Sequence, residues 1–212
     1  MERIKREQYN PELESSNAEQ FPEDLFEKKD IVVLGETFHG KHGEIILNFL
    51  DRFGVKINQI FIELPFDYQD SVDKYLVSGE VDEKLEDFLK GAEKEGKNVR
   101  DLLKIFDKAK EIGKGIICFD SSKTKEGEYQ QESKLRNERY FLRGESRDED
   151  MFTSIQRYYE QIPGKYLLIV GANHSMEGSY TEGDKRLGER LKEVFGERYI
   201  SFEIKSERKK SL

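Results

Sequence analysis

The chain has 212 residues, three histidines, one cysteine and a net charge of -8. That length suits one domain with a proper core, and a chain 38% charged and 35% hydrophobic describes a very polar surface around a modest core rather than disorder. The acidic balance argues against nucleic acid and anionic membranes as partners, and a lone Cys118 excludes intrachain disulfides and thiolate-rich metal sites.

Residues 1–29 read as a polar N-terminal extension, mostly loop, carrying Pro11, Ser15, Ser16 and Pro22, with one short docking turn over 21–26. The stretch lacks the apolar core of a signal peptide, and no apolar run approaches membrane-spanning length. The expectation is a cytoplasmic protein with no membrane span.

The runs 31–34, 59–64, 115–119, 166–170 and 199–204 are short and rich in Ile, Val, Leu or Phe, as strands buried in a sheet are. Between them lie helical patterns. Ile46, Phe49 and Leu50 share one face over 43–52, and Val72, Tyr75 and Leu76 share one over 70–77. Leu85, Phe88 and Leu89, then Leu102, Leu103, Ile105, Phe106 and Ala109, predict two helices before Gly113. Met151, Ile155, Tyr158 and Tyr159 mark another helix, and Leu187, Leu191, Val194 and Phe195 a last one ended by Gly196. The alternation predicts an α/β domain over 30–206, a layered sheet of about five mainly parallel strands with helices on both faces. Residues 121–145, crowded with Lys, Glu, Gln and Arg, form a polar insertion, either loop or polar helix. Residues 207–212 are a basic tail.

In open α/β sheets, ligands bind outside the carboxyl ends of the strands. Four consecutive predicted strands finish there in ionisable groups. The first leads into Glu36 and His39, and a carboxylate beside an imidazole fixes its tautomer and raises its basicity, as general-base catalysis on water requires. Glu36 serves equally as a helix cap. The second ends at Glu63, the third at Asp120, which suits an N-cap or loop anchor as well as direct chemistry. The fourth runs into Asn173 and His174. Arg147, opening the next helix, can turn inward to bind a carboxylate or a developing oxyanion. His42, near Glu44, can join His39 and His174 around zinc or manganese, or face solvent. There is no HExxH, no Walker-type or GxGxxG loop and no GxSxG elbow, which argues against nucleotide use and serine acylation.

Gly35, Glu36, His39 and Gly40, then Glu63, then Arg147, Asp148 and Met151, then Gly171 and His174 together resemble the erythromycin esterase/ChaN-like superfamily, to which Tiki and TraB proteins are also linked. The resemblance spans most of the chain. It implies a compact α/β sheet with a site of Glu36, His39, Glu63 and His174, in which a histidine activates water without a required metal. Toxin-borne endopeptidases are among the relatives. The chain is shorter than the esterases and lacks the helical insertions that shape their macrolide pocket. The ChaN-like branch, closer in size, is associated with haem or iron.

The leading expectation is a hydrolase of an ester or amide bond in a small molecule or peptide. His39 is the base, Glu36 its orienter, Glu63 and His174 complete the site, and Arg147, Asp120, His42 and Asn173 support it, with no obligatory cofactor. The alternatives are a haem- or iron-binding protein and a metal-dependent, Tiki-like peptidase. Nothing in the sequence sets the oligomeric state.

Overall fold

The computed structural model describes residues 12–14, 21–36, 43–120, 140–181 and 184–205. In chain order these form β1 (Glu12–Glu14), α1 (Leu25–Lys28), β2 (Ile31–Glu36), α2 (Gly43–Phe53), β3 (Gln59–Pro65), α3 (Gln69–Ser78), α4 (Glu83–Lys94) and α5 (Val99–Glu111). There follow β4 (Ile116–Asp120), α6 (Tyr140–Gln161), β5 (Tyr166–Gly171), α7 (Ala172–Ser175), β6 (Ser179–Thr181), β7 (Asp184–Lys185), α8 (Leu187–Phe195) and β8 (Tyr199–Lys205).

All five expected strands are present and parallel, in the order β8-β2-β5-β3-β4, with the short β1 added at the β8 edge. The fold is therefore the expected α/β layering, with one edge strand more than the apolar runs predict. β6 and β7 form a separate antiparallel ribbon.

Side chains alternate across a strand, and the two faces of the sheet are two cores. Val32, Leu34, Ile60, Ile62 and Leu167 face α2 to α5, against Phe49, Leu85 and Phe106. Ile31, Val33, Phe61, Leu168 and Val170 face α6 and α8, against Met151, Ile155 and Leu191. Ile31 to Leu34 have no exposed surface, so the strand reads as an unbroken apolar run instead of an alternating one.

The short docking turn expected at the end of the polar extension contributes to the first of these cores. Phe21 packs edge-on against Phe49 and Phe202 at centroid distances of 4.8 and 5.0 Å, and Leu25 and Phe26 are buried beside it.

Connections running toward the β4 edge place helices α2 to α5 on one face. Those returning toward the β1 edge place α6 and α8 on the other, as one crossover handedness requires. Strands β3 and β5 are neighbours, and the chain leaves their carboxyl ends in opposite directions. Such a switch point opens a crevice. Among the described residues, no helix is long and apolar enough to cross a membrane.

Candidate active site

The crevice is built from the ends of β2, β3, β4 and β5. Glu63 follows Phe61 on the α6 side of β3 and is 4% exposed at its side chain. Its Oε2 accepts the backbone N–H of Gly171 at 2.5 Å, tying β3 to the end of β5. Its Oε1 accepts from Nη2 of Arg147. The same guanidinium forms a fork on Asp120, Nε to Oδ1 at 2.6 Å and Nη2 to Oδ2 at 2.7 Å. Of the two inward roles expected for Arg147, it fills carboxylate binding. One planar cation thus compensates two buried acids on adjacent strands, the task for which a bidentate arginine is suited. Burial opposes the charge on Arg147, but the bonds to Asp120 and the negative field of Glu63 outweigh it and raise its pKa further.

The helix bearing Arg147 begins at Tyr140, so Arg147 lies in its interior instead of opening it. The neighbouring Asp148 sits three residues before Met151 and seven before Ile155, on the buried stripe of α6. It has no exposed surface, and its Oδ1 is hydrogen-bonded to Nδ1 of His174. Among the described residues its Oδ2 has no hydrogen-bond partner. The other ring nitrogen of His174, Nε2, lies 3.6 Å from Glu63 Oε1. Burial favours the neutral imidazole, yet the bond to Asp148 and the charges of Glu63 and Asp148 prevail over it and over Arg147, so the His174 pKa is raised.

His174 owes its place to a close contact one layer down. It sits on the single-turn α7, whose Ser175 is fully buried against Gly35 of β2. A Cβ on Gly35 would stand 1.9 Å from Ser175 Oγ and 3.3 Å from the Ala172 backbone. Only glycine lets α7 approach this strand. Asn173, on the same turn, is exposed.

Glu36 shares the other face of the sheet with Val32 and Leu34, opposite Gly171 in the β2–β5 register, and is 7% exposed. It lines a cleft of about 220 Å³ together with Glu63, Asp120 and Arg147. The remaining wall is mostly apolar, drawn from β3, β5 and the α4–α5 pair, with Lys97 and Asn98 as its polar members. His39 and His42 fall outside the described residues, as do 121–139 of the polar insertion. Cys118 is buried, and burial pushes its thiol up to about 12, so it is an inert packing group.

Of the expected set, Glu63, Asp120, Arg147 and His174 meet directly, and Glu36 joins them across the cleft. Asp148 as the holder of His174 was not expected, and neither were the cleft residues of α4 and α5. The donor chemistry bears on a metal. Arg147 takes up oxygens of both Glu63 and Asp120, and Asp148 takes up one nitrogen of His174. Among the described residues no three His, Cys, Asp or Glu side chains converge as a metal site does.

No family model and no curated protein matches the sequence. Solved structures do match. A succinoglycan biosynthesis protein superposes with a TM-score of 0.63 at 11% identity, covering 91% of this chain and 71% of that one. An erythromycin esterase variant in its open conformation gives 0.60 at 14% identity, covering 84% and 70%. A Bacillus cereus protein gives 0.55 at 11% identity, covering 91% and 71%. At such identities the likeness is one of fold, and the chain has an erythromycin esterase-like α/β fold.

Proposed function

We propose that this chain hydrolyses an ester or amide bond by histidine-assisted attack of water. The observation that carries the reading is His174, held by the buried Asp148 with Nε2 toward Glu63, at the switch point of a sheet whose fold is shared with an erythromycin esterase. His39, three residues beyond the cleft carboxylate Glu36, takes the proton of the attacking water, and Glu36 orients it. The water oxygen bonds to the carbonyl carbon. As the tetrahedral species collapses, the departing oxygen or nitrogen takes its proton from His174, whose raised pKa favours the protonated form.

Glu63, fixed by Arg147 and by the Gly171 N–H, sets the field at Nε2 of His174. The reading uses no metal, because Arg147 already supplies the positive charge between Glu63 and Asp120. A closer kinship with the ChaN-like, Tiki or TraB branches rests on the sequence motifs.

The test is turnover of p-nitrophenyl esters and p-nitroanilides by the wild type, His39→Ala and His174→Gln. His39→Ala should melt like the wild type. His174→Gln should melt lower, because it leaves Asp148 buried without its cation, but should remain folded. Both should lose about a hundred- to ten-thousandfold in kcat/KM. Wild-type-like turnover in both, or no hydrolysis of either bond class by the parent protein, refutes the proposal.

A further inference from the structure

The cleft beside Glu36 is two-sided in chemistry as well as in shape. Strand alternation places Ile62 and Leu64 on the α2–α5 face and Glu63 on the other. Arg147 reaches the cleft from the α6 side of the sheet, and behind it Asp148 holds His174 with Nε2 toward Glu63. The opposite wall is Ile62, Leu64, Phe88, Ala92, Leu102 and Ile105. At its mouth Asn98 caps α5 by accepting the Asp101 N–H, and Lys97 is matched by Glu95 at 2.9 Å. A second, more charged depression, lined by Asp67, Tyr68, Lys84, Asp87 and Glu95, shares Pro65, Phe88, Ala92 and Lys97 with the first. Tyr68 and Phe88 stand 4.8 Å apart, and Lys84 lies over the Tyr68 ring. The two depressions thus share the Phe88 and Ala92 side of α4.

The geometry points to a substrate class: an ester or amide whose acyl group is neutral and apolar, its carbonyl at Glu36 and Glu63 and its chain along the α4–α5 wall. This rests on the hydrolase reading above. The acyl side is assigned to that wall because the leaving group must receive a proton, and His174 supplies it from the opposite side of the sheet. At about 30 Å³ per water-sized group, the 220 Å³ cleft holds roughly seven carbons. The three carboxylates Glu36, Glu63 and Asp120 outnumber the two cations Arg147 and Lys97 in that lining, which disfavours an anionic acyl group next to the scissile carbonyl.

The experiment is kcat/KM for p-nitrophenyl acetate, butyrate, hexanoate and octanoate, with hexyl and octyl acetate carrying the chain on the alcohol side. The expected result is a rise of about three- to fourfold per methylene on the acyl side that levels off near octanoate. Ala92→Phe should cut the octanoate-to-acetate ratio at least tenfold, and Leu102→Ala should move the levelling-off to longer chains. If Ala92→Phe does not fold, Leu102→Ala carries the comparison. A flat or falling acyl series with measurable turnover overturns the substrate class and leaves the hydrolase standing, as does a preference that follows the alcohol chain. If neither the esters nor the p-nitroanilides are turned over, calorimetric titration with 2-butanone, 2-hexanone and 2-octanone separates the two ideas. Affinity rising with chain length and lost in Ala92→Phe upholds the apolar wall while the hydrolase falls, and no binding overturns both.

Discussion

Asp148, with no exposed surface, holds Nδ1 of His174 and so aims Nε2 at Glu63. Replacing it with asparagine keeps the shape and removes the charge that lifts the imidazole pKa. In Asp148→Asn the His174 pKa, followed by its ring-carbon NMR shift, is expected to fall. Turnover should drop by about a hundred- to ten-thousandfold. The linkage has a definite sign. A histidine whose folded pKa is raised contributes stability that is full below about 6.5, the unfolded value, and is lost as pH rises through the folded value. The melting-temperature gap between wild type and variant should therefore be widest at mildly acidic pH and shrink above the folded pKa. A gap that widens with pH contradicts the assignment.

Arg147 bonds both Glu63 and Asp120, each 4% exposed at the side chain, while its own side chain is 32% exposed. Removing it strands two acids in the crevice. Arg147→Ala should cost about 2–3 kcal/mol in denaturant unfolding, below the ~3–5 kcal/mol of fully buried pairs because water reaches the guanidinium. Arg147→Lys keeps the charge but not the fork and should fall between. Pairing Arg147→Ala with Glu63→Gln should recover part of the loss. Equal stability of Arg147→Ala and the wild type would show the fork to be a surface pair in effect.

Much of this was legible in the sequence, and the gaps have physical causes. The five main strands are apolar runs because both faces of the sheet are covered, and Glu63 and His174 stand out as polar breaks at their ends. The strand Glu12–Glu14 is held to β8 by backbone pairing and carries two acids, so no apolar pattern announces it. Asp148 lies among the charges of 143–150, where an acid reads as surface. Its spacing of three and seven to Met151 and Ile155 was the available signal. Phe88 and Leu102 read as core residues like Leu85 and Phe106, since periodicity gives a face but not whether a cleft or a neighbour lies against it.

Gly35 is a stability and positioning test that touches no charged group. Its substitution by alanine would drive a methyl into Ser175 and α7, with a cost of about 1–3 kcal/mol for overpacking and a displaced His174. Gly35→Ala should melt lower and lose turnover by more than its folded fraction explains. Adding Ser175→Gly, which removes the atoms struck, should return part of both. A Gly35→Ala variant with unchanged melting temperature and rate would mean that α7 shifts freely, and the positioning argument would fail.

The last prediction concerns metal. A catalytic zinc site takes about three protein ligands and an open position, whereas here Arg147 already donates to Glu63 and Asp120, and Asp148 occupies one nitrogen of His174. A divalent ion would have to displace the guanidinium from between its two acids and would take from the imidazole its role in moving protons. Prolonged treatment with EDTA or 1,10-phenanthroline is therefore expected to leave kcat/KM and melting temperature unchanged. Activity lost to chelator and restored by one divalent ion would reverse this conclusion, and Glu36, Glu63, His39 and His174 would then be ligands around a metal-bound water.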